Sequence, residues 1–232
     1  MKSTPKAKTK RAGKSPAYLK RHHALAWETV GGLSSPSKMP CYGYSTPATA
    51  CATGGRLQKV SGSTCSGCYA MKGFYRMPNV ASALHKRLES LTSPAWVPAM
   101  VELIDAAELP YFRWHDSGDL QNVDHLASIV AVCESTPKVT HWLPTREVRI
   151  VRDFLKAGGE IPSNLTIRIS AHMIDRFPGN APMGLPFSTV HTDESVLPSG
   201  AEVCGAAKRG GECGPCRACW EPSNVHISYA KH

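Results

Sequence analysis

Apolar positions along the chain alternate between two spacings. From Asn79 onward, Val80, Ala83, Leu84, Leu88 and Leu91 recur at intervals of three and four, with Arg87 on the same face. This spacing predicts a helix capped by Asn79. Ser93-Pro94 predicts the start of a second helix with the stripe Val97, Met100, Val101, Ile104. Tyr111–Trp114 then reads as a strand. It is followed by a helix capped near Asn122, with Val123, Leu126, Ala127, Val130 and Cys133 on one face. A strand over Val139–Leu143 leads to a helix running to Ala157, which Gly158-Gly159 stops. Further strands are expected at Leu165–Ile169, at Phe187–Val190 and within 224–229. Residues 24–60, rich in Gly, Ser and Pro, read as loop around a short strand near Met39–Tyr44. Strand–helix alternation of this kind predicts an α/β fold: a partial (β/α) barrel or parallel sheet with a C-terminal cysteine-rich metal-binding extension.

Polar residues collect where the predicted strands end: His115, Asp116, Ser117, Asp119, Thr145, Arg146, Glu147, Ser170, His172 and His191. In parallel α/β folds that edge carries ligands and chemistry. Any one of these residues could serve only as a cap, but their recurrence on one edge points to a site. His115-Asp116-Ser117-Gly118-Asp119 is the densest stretch, with two carboxylates and an imidazole around a glycine turn.

The cysteines sharpen that expectation. Cys204, Cys213, Cys216 and Cys219 form C-x8-C-x2-C-x2-C, with small or turn-forming residues between them. Four thiolates suit an iron–sulfur cluster or a tetrahedral zinc. Cys65-x2-Cys68 is a metal half-site, and Cys51 is the nearest candidate for its missing ligand, ahead of Cys41. The two sets could form separate sites or converge on one. Cys133 sits on an apolar helix face and reads as core.

At 232 residues the chain can bury a full core, with the body over 24–198 and the cysteine-rich part over 199–232. It has no membrane-length apolar run and no secretory signal. Nine cysteines without an export signal imply a reducing compartment, the cytoplasm, where they serve metals rather than disulfides. Eight of the positive charges fall in residues 1–23, and the rest of the chain is left near +1 of the total +9. This segment is expected to be a disordered basic tail, either solubilising or able to touch nucleic acid.

Cys65-x2-Cys68-Tyr-Ala70, Arg113–Asp119 and the close Cys213-Gly-Pro-Cys-Arg-Ala-Cys-Trp220 resemble the gene-product-88-like family of phage and prophage proteins. That resemblance implies a phage protein, in the host cytoplasm if phage-encoded, and brings little function with it. More distantly the chain resembles the radical SAM superfamily. This resemblance implies a [4Fe–4S] cluster on Cys51, Cys65 and Cys68 with one iron open to S-adenosylmethionine. It also implies an auxiliary cluster on Cys204, Cys213, Cys216 and Cys219. Ser117, Gly118 and Asp119 would bind the cofactor, with Asp119 on its amine, and His115, Asp116, Arg146 and His172 would act on cofactor or substrate. The chain departs from the superfamily pattern in having C-x13-C-x2-C, and Tyr69 follows the last cysteine instead of preceding it. The alternative is a non-enzymatic zinc or closed-cluster protein that binds nucleic acid or a host protein.

Overall fold

The computed structural model describes residues 12–231. Seven strands form one wholly parallel sheet in the order β1-β2-β3-β4-β5-β7-β6. They are β1 (Tyr42–Tyr44), β2 (Tyr111–Trp114), β3 (Thr140–Thr145), β4 (Leu165–Ser170), β5 (Phe187–His191), β6 (Glu202–Val203) and β7 (His226–Ala230). The expected parallel sheet is therefore present. It does not close, because β1 and β6 remain as edges. Five strands in sequence order place every C-terminal strand end on one rim.

The helices are α1 (Pro16–His22), α2 (Ala24–Val30), α3 (Ala52–Leu57), α4 (Pro78–Ser90), α5 (Trp96–Ala106), α6 (Val123–Ser135) and α7 (Val148–Lys156). Asn122 caps α6 as expected, its side chain accepting from His125 N at 2.8 Å. Gly158, at φ 86°, ends α7, with Gly159 N bonded to Phe154 O. Two expected starts are displaced. Pro78 opens α4 with Met77 as cap, since the proline ring supplies the first helical φ and lacks only an N–H that would be unpaired anyway. α5 begins at Trp96, and Ser93 instead bonds Ala95 N.

Three further expectations are corrected. Residues 24–60 contain α2 and α3; two glycines hid α3, whereas α2 (Ala24–Val30) has none and is ended by Gly31 in the left-handed region like an ordinary helix stop. The expected disordered segment 1–23 is ordered from α1 onward. Ser15 caps α1, Leu19 is fully buried, and Lys14 N bonds Ala107 O at 3.0 Å. Residues 1–11 lie outside the described residues. Finally, 199–232 is no appendage, because β7 is inserted between β5 and β6. Helical alternation also stops after β4: the 171–186 connection has only a short 3-10 turn.

The main core joins α5, α6 and α7 to Phe112, Trp114, Leu143, Ile167 and Ile169. Cys133 is fully buried there, as its helix face implied. The alternate strand residues Tyr111, Arg113, Trp142, Thr166 and Arg168 meet the cysteine-rich segment. Trp220 packs edge-on against Trp142 and Tyr111, and its indole donates to Phe112 O at 2.9 Å. Cys41 is fully buried in this second cluster.

Two predictions follow the burial. Leu19→Ala should cost about 2–4 kcal/mol by urea denaturation, the range for truncating a buried leucine. A tail without structure would show no change. Burial also holds His125 down to about 4 and His141 down to about 3. Both folded values lie below the unfolded value of 6.5. The unfolded chain therefore binds more protons as pH falls from 6.5 towards 4, and stability should drop by about 1.4 kcal/mol per pH unit for each histidine. Urea midpoints across that range measure the slope.

Candidate metal centre

The β1–β2 crossover carries Cys51, Cys65 and Cys68 across the rim. Its path is fixed by bonds to the ends of other strands. Thr64 N bonds His172 O at 2.9 Å, its hydroxyl donates to Ala171 O, and Ile174 N bonds Gly62 O. These tie the cysteine loop to the exit of β4. The buried Glu147 carboxylate, just past β3, accepts from both Thr53 N and Thr53 Oγ1 at 2.7 Å. It thereby anchors α3 directly behind Cys51 and offsets the positive end of that helix.

Two of the three thiols are neighbours: a Cβ at Gly54 would lie 3.7 Å, ordinary contact distance, from the Sγ atoms of both Cys51 and Cys65. Burial pushes the Cys51 thiol up to about 12; Asp119, Cys68 and Cys65 raise it further and the Arg146 guanidinium opposes them. Cys65 is raised by burial, again against Arg146. The C-terminal thiols lie on the segment that crosses β2, β3 and β4. Burial lifts Cys219 to about 12, while the Tyr229 hydroxyl at 3.1 Å, Arg168 and Arg113 pull it down and Cys204 raises it. Cys213 is raised by burial, by Cys204 and by Cys216, against Arg113. None of the seven is in a disulfide. Among the described residues, no group of three or more Cys, His, Asp or Glu side chains stands ready to hold a metal ion.

The stretch from His115 to Asp119 is built into the scaffold. Asp119 is 5% exposed, and its oxygens accept from Leu120 N (2.8 Å), Thr145 Oγ1 (2.6 Å) and Arg146 N (2.9 Å). It joins the exit of β2 to that of β3. Gly118, at φ 80°, lies against Thr46, and a Cβ there would stand 2.0 Å from Thr46 Oγ1. Ser117 donates to Thr46 O at 3.0 Å. Ser117, Gly118 and Asp119, expected to bind cofactor, thus serve as internal ties.

Among the expected catalytic residues, His115 is 4% exposed and holds a left-handed φ of 56°, a conformation that costs a non-glycine residue about 1–3 kcal/mol. Burial, His125 and Arg113 keep its imidazole well below its ordinary value. Neither ring nitrogen has a hydrogen-bond partner among the described residues. Asp116 accepts from Tyr75 Oη at 2.8 Å through Oδ2, while Oδ1 is buried without such a partner. His172 Nε2 donates to Arg146 O at 3.2 Å, and Arg146 Nε donates to Thr64 Oγ1 at 3.0 Å.

Sequence reasoning placed Glu147 on the rim without seeing its tie to Thr53, a residue 94 positions away. It also passed over Arg149 and Arg152, which line a cleft with Arg146, Arg56 and His172. A signal was present: Arg146, Arg149 and Arg152 recur every three residues, with Arg149 and Arg152 on one face of α7 and Arg146 just before its N-cap Glu147.

Asp119→Asn should destabilise the fold by about 1–3 kcal/mol, because an amide must turn one N–H group toward the donors Thr145 or Arg146. Thermal melts of both proteins measure this. A change under about 0.5 kcal/mol would show the tie to be dispensable.

No helix among the described residues is long and apolar enough to cross a membrane. No curated protein and no solved structure matches the chain. The family described as "Gene product 88" matches residues 2–222, nearly the whole length, and the chain therefore belongs to this family of phage proteins.

Proposed function

We propose that this chain is an iron–sulfur-binding phage-type protein, of radical-SAM-like type, whose principal cluster is held by Cys51, Cys65 and Cys68. The observation that carries this reading is the presence of two sets of free thiols, three on the β1–β2 crossover and four in the C-terminal segment, each with a guanidinium acting on it. Arg146 lies by the first, and Arg113 and Arg168 by the second. Soft thiolates suit iron–sulfur clusters, and nearby cations offset their charge on metal loading.

Bound there, a cluster would supply the electron that cleaves S-adenosylmethionine for radical chemistry on a substrate. The protein's part is positional. Glu147 fixes the turn after Cys51, Thr64 pins Cys65 to the exit of β4, and Asp119 sets the backbone around Arg146. With Asp119 spent on internal donors, the buried unpartnered polar atoms at the strand ends include Asp116 Oδ1, both His115 ring nitrogens and His191 Nε2.

A second reading rests on the C-terminal group. Cys204, Cys213, Cys216 and Cys219 supply four thiols, enough to saturate zinc or a closed cluster, on a segment already clamped to the sheet through Trp220. A purely structural metal would suit that place.

Anaerobic purification followed by metal analysis tests both readings. We expect iron, about four atoms per loaded site. Cys68→Ser should empty the first site and Cys213→Ser the second, each leaving the other filled. Zinc at one or two per chain with no iron would sink the enzyme reading and leave the structural one.

A further inference from the structure

Beside the first cysteine group, a cleft of about 350 Å³ opens between α3 and the first turns of α7. Arg56, Arg146, Arg149, Arg152 and His172 line it together with Thr53, and none of its lining residues is a carboxylate. Three neighbouring acids are engaged elsewhere, and one of them, Asp119, is buried behind Arg146 and bonded to Thr145 and to the Arg146 and Leu120 amides. Glu147 is buried and bonded to Thr53, and Asp153 pairs with Arg149 at 3.5 Å along α7. Among the described residues, Arg56, Arg146 and Arg152 make no ion pair; Arg56 and Arg146 donate only to the hydroxyls of Thr53 and Thr64. Like charges held in one concavity repel unless an anion joins them.

We propose that this cleft binds a ligand carrying two or more adjacent phosphate groups. Three features favour phosphate. A guanidinium presents a planar fork that matches phosphate oxygens. The several guanidiniums exceed what a single carboxylate ligand could neutralise, and the volume is that of a small-ligand site. The first turn of α7, which supplies Val148 and Arg149 to the wall, adds the positive end of its dipole. The cleft lies on the C-terminal rim, where parallel sheets receive ligands. It uses no cysteine, so it stands whether or not the metal reading does.

Phosphate of this kind comes from a nucleoside polyphosphate or from a nucleic-acid strand, and the test separates them. Tripolyphosphate, ATP and single-stranded oligonucleotides of two lengths are titrated calorimetrically into the full chain at low ionic strength. The metal content of each sample is read in parallel. Tripolyphosphate should bind saturably at one site. Arg152→Gln and Arg56→Gln, both changes of exposed side chains, should each weaken it about tenfold. Arg152→Lys, which keeps the charge but loses the fork, should fall between. Lys138→Gln, just before β3 on the opposite edge of the sheet, should bind like the wild type. ATP binding tighter than tripolyphosphate supports the site with a nucleotide as its ligand. Affinity that rises with oligonucleotide length and falls steeply with salt supports it with a strand. Absence of saturable tripolyphosphate binding overturns the proposal. So does equal binding by the Arg56, Arg152 and Lys138 variants, with melting curves confirming that each is folded.

Discussion

A fully buried cation holds the C-terminal segment of this molecule to β4. Arg168, on β4, has no exposed surface and no carboxylate partner among the described residues. Its guanidinium donates instead to the carbonyls of Phe187 (3.2 Å), Asn224 (2.8 Å), Glu221 (3.2 Å) and Ala218 (3.4 Å). A buried charge is tolerated only where hydrogen bonds replace its hydration. Three of those carbonyls lie between Cys216 and β7, so the segment must run beneath Arg168 before it can enter the sheet beside β5. The insertion of β7 and the seat of Trp220 go with that path.

The rim is organised by the same economy of buried polar groups. Asp119 and Glu147 are carboxylates placed where chemistry would be expected, and both are consumed in holding loops together. Because one ties β2 to β3 and the other ties β3 to α3, the register of the sheet sets the position of Cys51. Thr64 does the same for Cys65 from β4. The thiols are thus positioned by hydroxyls, carboxylates and carbonyls on rigid strand ends, although they themselves sit on loops.

Much of the fold was legible because its signals are local. The residues of Tyr111–Trp114 mark β2 by composition, Asn122 caps α6 by its own side chain, and Gly158 stops α7 by its own backbone freedom. Cys133 declared itself core through its neighbours three and four positions away. The grouping of candidate thiols along the chain, three in 51–68 and four in 204–219, was visible, but not whether they share one site. The missed helices α2 and α3 are short, seven and six residues, too short to show a sustained apolar period.

The sequence by itself determined the parallel strand–helix order, the rim on which polar residues collect, and the stock of seven candidate ligand thiols. These follow from periodicity, caps and spacing, which act over a few residues. Only the tertiary structure decided that β7 lies between β5 and β6, that Asp119 ties strands, and that Arg56 joins Arg146, Arg149 and Arg152 in one cleft. It also placed Arg168 under the cysteine segment. Each of these joins residues tens of positions apart, and the contact exists only once the sheet has brought their strand ends to a common edge.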